Sequence, residues 1–360
     1  MDLKGQPWLK SVAYDSVWIL SPPFFATVLV ASIAKLKPEL LNTPLSPLAW
    51  LLFILAIDVG HVYASLYRTV LSARMWRDEK RLLLLVPLVA YALVFAAYQW
   101  DALIFWRLLS YIAVFHFVRQ PYGLFMLYKR NARRDPLWVH RLDQIAIYTA
   151  SLYPLALWHL DPSRTFNWFV PGDFLIVKGA SWRGAFHVTA LIIACLWTSK
   201  EIFLVRTGQK FNVPKAAVLI GTALSFGMGI LYWNSDFAFT ATNVISHGVA
   251  YMGLIYLADA SRTLPPFPKA QAFVKPALFV LSLLVFAYLE EALWDTMIWA
   301  EHPEFFSLIS NVFGDVRASE GALAWLVPLL ALPQLTHYIW DGFIWRKRPS
   351  AASISSPSSL

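Results

Sequence analysis

The chain predicts an all-α fold: a polytopic transmembrane helical bundle of about ten spans with both termini cytoplasmic. Three observations carry that expectation. Of the 360 residues, 58% are hydrophobic and only 14% are charged, against roughly 25% charged in soluble domains. Seventeen Trp, fifteen Tyr and twenty-five Phe suit aromatic belts at two membrane surfaces. Apolar runs near the 20 or so residues that cross a bilayer recur along the chain, and the connections between them alternate in charge.

The first run, 16–36, follows a short polar start with no small-residue cleavage pattern, so it is expected to stay as a span rather than leave as a signal peptide. Span two, 46–71, is followed by Arg74, Arg77, Lys80 and Arg81. Spans three and four, 82–100 and 102–128, are joined by Gln99, Trp100 and Asp101; Lys129, Arg130, Arg133, Arg134 and Arg141 follow. Span five, 143–160, is short, and span six, 182–205, leads into Arg206, Lys210 and Lys215. Asn234, Ser235 and Asp236 join spans seven and eight, 214–233 and 238–259, after which come Arg262, Lys269 and Lys275. Span nine, 275–296, carries Glu290, Glu291 and Asp295 toward its outer end, and span ten, 321–345, closes on Arg346, Lys347 and Arg348. Arg107 and Arg183 lie on the wrong side, but the bias of basic residues after even-numbered spans places both termini in the cytoplasm. The stretches 164–169 and 305–313 read as outer interfacial segments. Residues 1–348 form one transmembrane domain, and the Ser/Ala/Pro-rich tail 349–360 is expected to be disordered.

Composition also excludes several classes. The net charge of +8 sits in short connections, so it signals membrane topology and not nucleic-acid binding. A single cysteine, Cys195, rules out intrachain disulfides and thiol-rich zinc or iron–sulfur sites. The sequence has no Rossmann fingerprint, no P-loop and no Ser-His-Asp elbow.

The informative residues are histidines. His61, His116, His187, His247 and His337 lie on spans two, four, six, eight and ten, which all run the same way. A basic residue follows each by 7 to 15 positions: Arg68, Lys129, Lys200, Arg262 and Arg346. At about 1.5 Å rise per residue, these offsets put all five within one or two turns in depth. A lone intramembrane histidine is more often a helix–helix hydrogen-bonding residue than a ligand. Five in one layer point to a shared metal or haem site. His140, His159 and His302 fall in loops or at a span end.

Polar neighbours recur at helical spacing around these histidines. Span two presents Asp58, His61, Ser65 and Arg68; an acid and a histidine at i, i+3 is a spacing used by di-metal helical bundles. Span four offers His116 with Gln120, beside Arg119 and a ladder-breaking Pro121. Span eight offers Asn243, His247 and Tyr251, and span ten Gln334, His337 and Asp341. His61, His116, His247 and His337, with Asp58 and Asp341, are the candidate metal ligands. His187, Gln120, Asn243, Tyr251, Gln334, Arg68 and Arg119 are candidates for the surrounding layer, where amides and carboxylates fix imidazole tautomers. An imidazole-rich, thiol-free set suits iron, copper or zinc better than magnesium or calcium.

The polar stripes resemble, in type, those of the Brp/Blh-like multi-histidine membrane oxygenases, the beta-carotene dioxygenase-like family. That resemblance implies an all-helical bundle holding iron through histidines on different spans, here His61, His116, His247 and His337. The acid stands in an Asp-x-x-His pattern that is not that family's own histidine motif, and ten spans exceed its usual number. The segments Asp58–Arg68, His116–Gly123 and His337–Arg346 also resemble those of uncharacterised bacterial polytopic membrane proteins, whose likeness implies the bacterial cytoplasmic membrane. The expectation is a membrane-embedded non-haem metal oxidoreductase or oxygenase, with iron as cofactor. Its partners would be membrane lipid, a hydrophobic lipid or isoprenoid substrate and an electron-donor protein. The alternatives are b-type haem electron transfer and a proton-coupled transporter using the same residues as a relay.

Overall fold

The structure, a computed structural model, describes residues 5–130, 135–164, 167–177, 179–265, 273–313 and 317–344. It is 81% helical, and the described residues contain no strand. The Ser/Pro-rich tail and the basic residues from Arg346 onward lie outside the described residues. In chain order the helices are α1 (Val12–Leu20) and α2 (Pro22–Leu36), bent by 51° at Ser21, then α3 (Pro47–Tyr67), α4 (Lys80–Trp100) and α5 (Ala102–Tyr128). They continue with α6 (Leu137–His159), α7 (Arg183–Arg206) and α8 (Val213–Tyr232), α9 (236–263) and α10 (Val274–Trp299). The stretch 305–313, expected to be interfacial, falls on a helix, α11 (Pro303–Phe313), and α12 (Glu320–Phe343), with a break at Ala331, is the last described helix.

Each of the ten predicted runs therefore falls on a helix. Seven helices are long and apolar enough to cross a membrane, or eight with α1 and α2 as one bent span. The two below that threshold are α6 and α9. For α9 the packing gives the reason: every residue from Phe237 to Val244 is buried, so its polar positions face protein. An outer surface that meets no lipid need not be apolar.

Caps at the helix starts come from the short polar residues that precede them. Ser46 caps α3, Asp101 caps α5, Asn212 caps α8 and Ser235 caps α9, each side-chain oxygen accepting a first-turn N–H. Pro121 leaves α5 continuous through Tyr128.

Around the centre of the bundle, α3 packs on α9 and α12, and α5 on α12. Helices gain little from hydrophobicity against each other in lipid, so close backbone approach and packing hold them together. Fully buried Ala26, Ala64, Ala113, Ala238 and Ala241 serve that approach. Gly248 is the extreme case. A Cβ there would lie 2.6 Å from Ile57 Cγ2 and 3.0 Å from the Ile57 carbonyl oxygen, so glycine sets the α3–α9 distance. By contrast α4 and α7 are peripheral, each burying only 22% of its most apolar window.

Candidate metal centre

Four helices each deliver one histidine to the same point: His61 from α3, His116 from α5, His247 from α9 and His337 from α12. All four are buried. Local backbone helps to aim two of them. A π-helical stretch, Leu51–Val59, ends just before His61, and another, Ile245–Val249, contains His247. Such wide turns shift the phase of a helix face and recur at functional sites.

The rings form a four-cornered arrangement in the order His61, His247, His116, His337. Neighbouring ring centroids are 4.7, 4.7, 4.6 and 5.1 Å apart, whereas His61 and His116 stand opposite at 6.5 Å. Neighbours are steeply inclined, by 68° to 85°. The Nε2 atoms point inward: His61 to His247 is 3.1 Å, His247 to His116 is 3.0 Å, and His116 to His337 is 3.1 Å. One ligand nitrogen from each of the four lies within 4.8 Å of the others.

A ring nitrogen offers one in-plane site, either a proton or a lone pair. In a row of three Nε2–Nε2 contacts, at most two can therefore be well-formed hydrogen bonds, so hydrogen bonding alone does not account for all three close approaches. A metal ion with nitrogens at about 2.1 Å satisfies all four lone pairs at once, and ligands at right angles around it stand about 3.0 Å apart. The three Nε2–Nε2 spacings of 3.0–3.1 Å match that. The residues present fit a single transition metal ion.

The outer ring nitrogens find partial support. His61 Nδ1 donates to the Ile57 carbonyl at 3.2 Å, which leaves its Nε2 lone pair free for the centre. His116 Nδ1 lies 3.7 Å from Asp341 Oδ2, and Tyr251 donates to Asp341 Oδ1 at 2.7 Å. Among the described residues the Nδ1 atoms of His247 and His337 have no hydrogen-bond partner. Phe117 stacks flat on His247, with centroids 3.9 Å apart, and Tyr338 leans on His116.

The predicted residues divide clearly by position. Asp58 and Asp341 stand behind the rings, at 3.8 Å and 3.7 Å from Nδ1 atoms, and not at the convergence point. Asp341 Oδ2 stands 3.7 Å from Nδ1 of His116, on another helix. Gln120 donates to the His247 carbonyl at 3.0 Å and ties α5 to α9. Tyr251 underlies the site, with its ring 5.0 Å from His337 and 5.8 Å from His61. Asn243 donates back to Phe239 O within α9, and Gln334 lines a cavity next to the site.

Three predicted residues belong elsewhere. His187 is exposed on peripheral α7, where its Nδ1 meets the Tyr153 hydroxyl at 2.6 Å, so the layer of five reduces to a centre of four. Depth alone placed it with the others; lateral position separates it. Arg68 pairs with Asp259 at 2.5 Å, and Arg119 donates to the Tyr148 hydroxyl.

Sequence reasoning missed a second polar feature. Lys129, Lys200 and Lys215 read as loop charges at span ends, yet all three are buried. They meet Asp143 and Glu201 in one ion cluster between α5, α6, α7 and α8, with Lys129–Asp143 and Lys215–Glu201 at 2.5 Å. The signal available was Asp143, an acid near the start of a predicted span with lysines at the facing ends.

No family model, no curated protein and no solved structure matches this chain.

Proposed function

We propose that this chain is an integral membrane metalloprotein that holds one transition metal ion on His61, His116, His247 and His337 and uses it in oxidation–reduction of a hydrophobic lipid or isoprenoid substrate. Iron is the favoured metal. The observation that carries this reading is the inward convergence of four buried Nε2 atoms from four helices. We further assign ten crossings, with both termini on the face that bears the basic connections, in the bacterial cytoplasmic membrane.

Bound iron supplies one-electron redox and Lewis-acid chemistry that no side chain of this set offers. The chain's own groups do the rest. Tyr251 orients Asp341, and Asp341 in turn orients the His116 imidazole. The Ile57 carbonyl fixes the His61 tautomer. Asp58 and Asp341 lie beside the four rings, where two carboxylates could balance the charge of a divalent ion. Phe117 shields one face of His247 from water. An apolar cleft of about 40 Å³, lined by Leu20, Pro23, Phe117, Val218 and Phe226, touches His247 and gives the centre a hydrophobic side. Electrons come from a partner protein or from the substrate itself, since the sequence has no nucleotide-binding motif.

A b-type haem fits less well. Two axial histidines need a wide macrocycle between them, whereas here the other two imidazoles occupy that plane.

Oxygen uptake by purified protein in lipid, supplied with an extract of isoprenoid lipids, tests the reading. Uptake is expected with the native protein and absent with His61→Ala. Uptake that survives in His61→Ala, or its absence from metal-loaded native protein across the lipid fractions, contradicts it.

A further inference from the structure

A cavity of about 380 Å³ lies on one side of the histidine centre, toward the end of the bundle that carries Glu301 and His302. Its inner end is made by Asp58, Asn243 and Gln334. Each of these stands three or four residues before a site histidine, which is one helical turn from His61, His247 and His337 respectively. Its outer end includes exposed Asp236 and Glu301. The cavity thus spans the distance from the bundle surface to within one turn of the centre.

Its lining is unusually one-signed. Asp58, Asp236, Glu291, Asp295 and Glu301 all contribute, and among the described residues no lysine or arginine does. At about 30 Å³ per water, the volume holds on the order of ten waters. Three indoles pack together in its wall: Trp294 and Trp299 stack 5.9 Å apart, and Trp106 leans on both. A cleft lined by charge of one sign, with low-dielectric walls, concentrates counter-ions and speeds their entry. The four inward nitrogens, one helical turn beyond its inner end, are the ligands such an ion would meet.

We propose that this cavity is an aqueous, cation-selective vestibule through which a hydrated divalent metal ion reaches the four-histidine centre from the face bearing Glu301. The destination rests on the metal-centre reading above; the existence of the vestibule does not. The centre is therefore loaded from the aqueous face at Glu301.

Thiol labelling tests the vestibule without any metal. In a Cys195→Ser background, Thr240→Cys places a thiol on the cavity wall, and Leu93→Cys places one on a lipid-facing surface. Glu304→Cys marks the membrane face. Membrane-impermeant methanethiosulfonate reagents of either charge are added to one face at a time. Thr240→Cys is expected to react only from the face that labels Glu304→Cys, about ten-fold faster with the cationic reagent, while Leu93→Cys stays unlabelled. Asn167→Cys, also on the wall, gives the same reading if Thr240→Cys fails to fold. No labelling at either wall position, or equal rates for the two reagents, overturns the proposal.

The second arm follows uptake of Zn²⁺ by metal-free protein. The Asp236→Asn/Glu291→Gln variant should load several-fold more slowly and reach the same final content, because it alters the route and not the ligands. An unchanged loading rate overturns the route while leaving the centre intact. Failure of native protein to bind metal at all overturns the metal-centre reading, with the labelling result standing apart from it.

Discussion

His116 shows what a single residue in this centre depends on. Its Nε2 faces two other imidazoles, and its Nδ1 faces a carboxylate held by Tyr251. Loss of that carboxylate leaves the ligand unoriented, so Asp341→Asn is expected to weaken metal binding about 10–100-fold in a titration. Asp58→Asn is expected to have a smaller effect, because His61 Nδ1 already donates to the Ile57 carbonyl. Equal affinity in Asp341→Asn and native protein would reduce Asp341 to a structural hydrogen-bond partner of Tyr251. His187→Ala and His140→Ala should retain native metal content, whereas His337→Ala should lose it. At this scale the sequence carried much of the answer. Polar residues in apolar runs are costly, so the four histidines were visible as candidates. The pairing of Asp341 with His116 was not, because helical spacing reports neighbours on one helix and says nothing about which helix lies beside it.

Between α3 and α9 the fit is set by Gly248, whose missing side chain admits Ile57. The same Ile57 carbonyl anchors His61, so the contact and the site share one backbone group. Gly248→Ala should force the helices apart, lowering stability by about 1–3 kcal/mol and reducing metal content together. Normal metal loading in a Gly248→Ala protein would show that α3 and α9 can separate without disturbing the centre. The ion cluster between α5, α6, α7 and α8 makes another demand. Lys129→Met removes one of the partners of buried Asp143 while Lys200, Lys215 and Trp197 remain, and the loss of one hydrogen bond to a charged group costs about 1.5–3 kcal/mol. A clear fall in thermal stability with unchanged metal affinity is the expected result; unchanged stability would mean that Lys200 and Lys215 compensate fully. The ten apolar runs were legible as helices from length and hydropathy. The π-helical stretches at Leu51–Val59 and Ile245–Val249 were not, since one extra residue per turn leaves no mark in an apolar sequence.

The whole molecule is a helical bundle around a buried four-nitrogen centre, with a small apolar cleft at His247 and a larger acidic cavity that ends one helical turn away. Sequence reached the all-helical fold class and grouped the histidines by their position along the spans, because hydropathy and charge bias act along the membrane normal. It could not reach lateral order, which is why His187 was grouped with the four that converge. Helix α9 escaped the apolar threshold for the same reason: its neighbours are helices, and only packing reveals that. Metal and fold are coupled as well, since the ion would bridge α3, α5, α9 and α12. Stripping it with a chelator should lower the unfolding temperature, by the equivalent of about 2.7 kcal/mol where the ion had been present at a hundredfold its Kd. The central claim is the four-histidine metal centre, and metal quantification of native protein purified without chelator tests it most directly. The account predicts close to one equivalent of a single transition metal per chain, lost in His61→Ala and His337→Ala and kept in His187→Ala. Less than about half an equivalent of any transition metal in the native protein would contradict it.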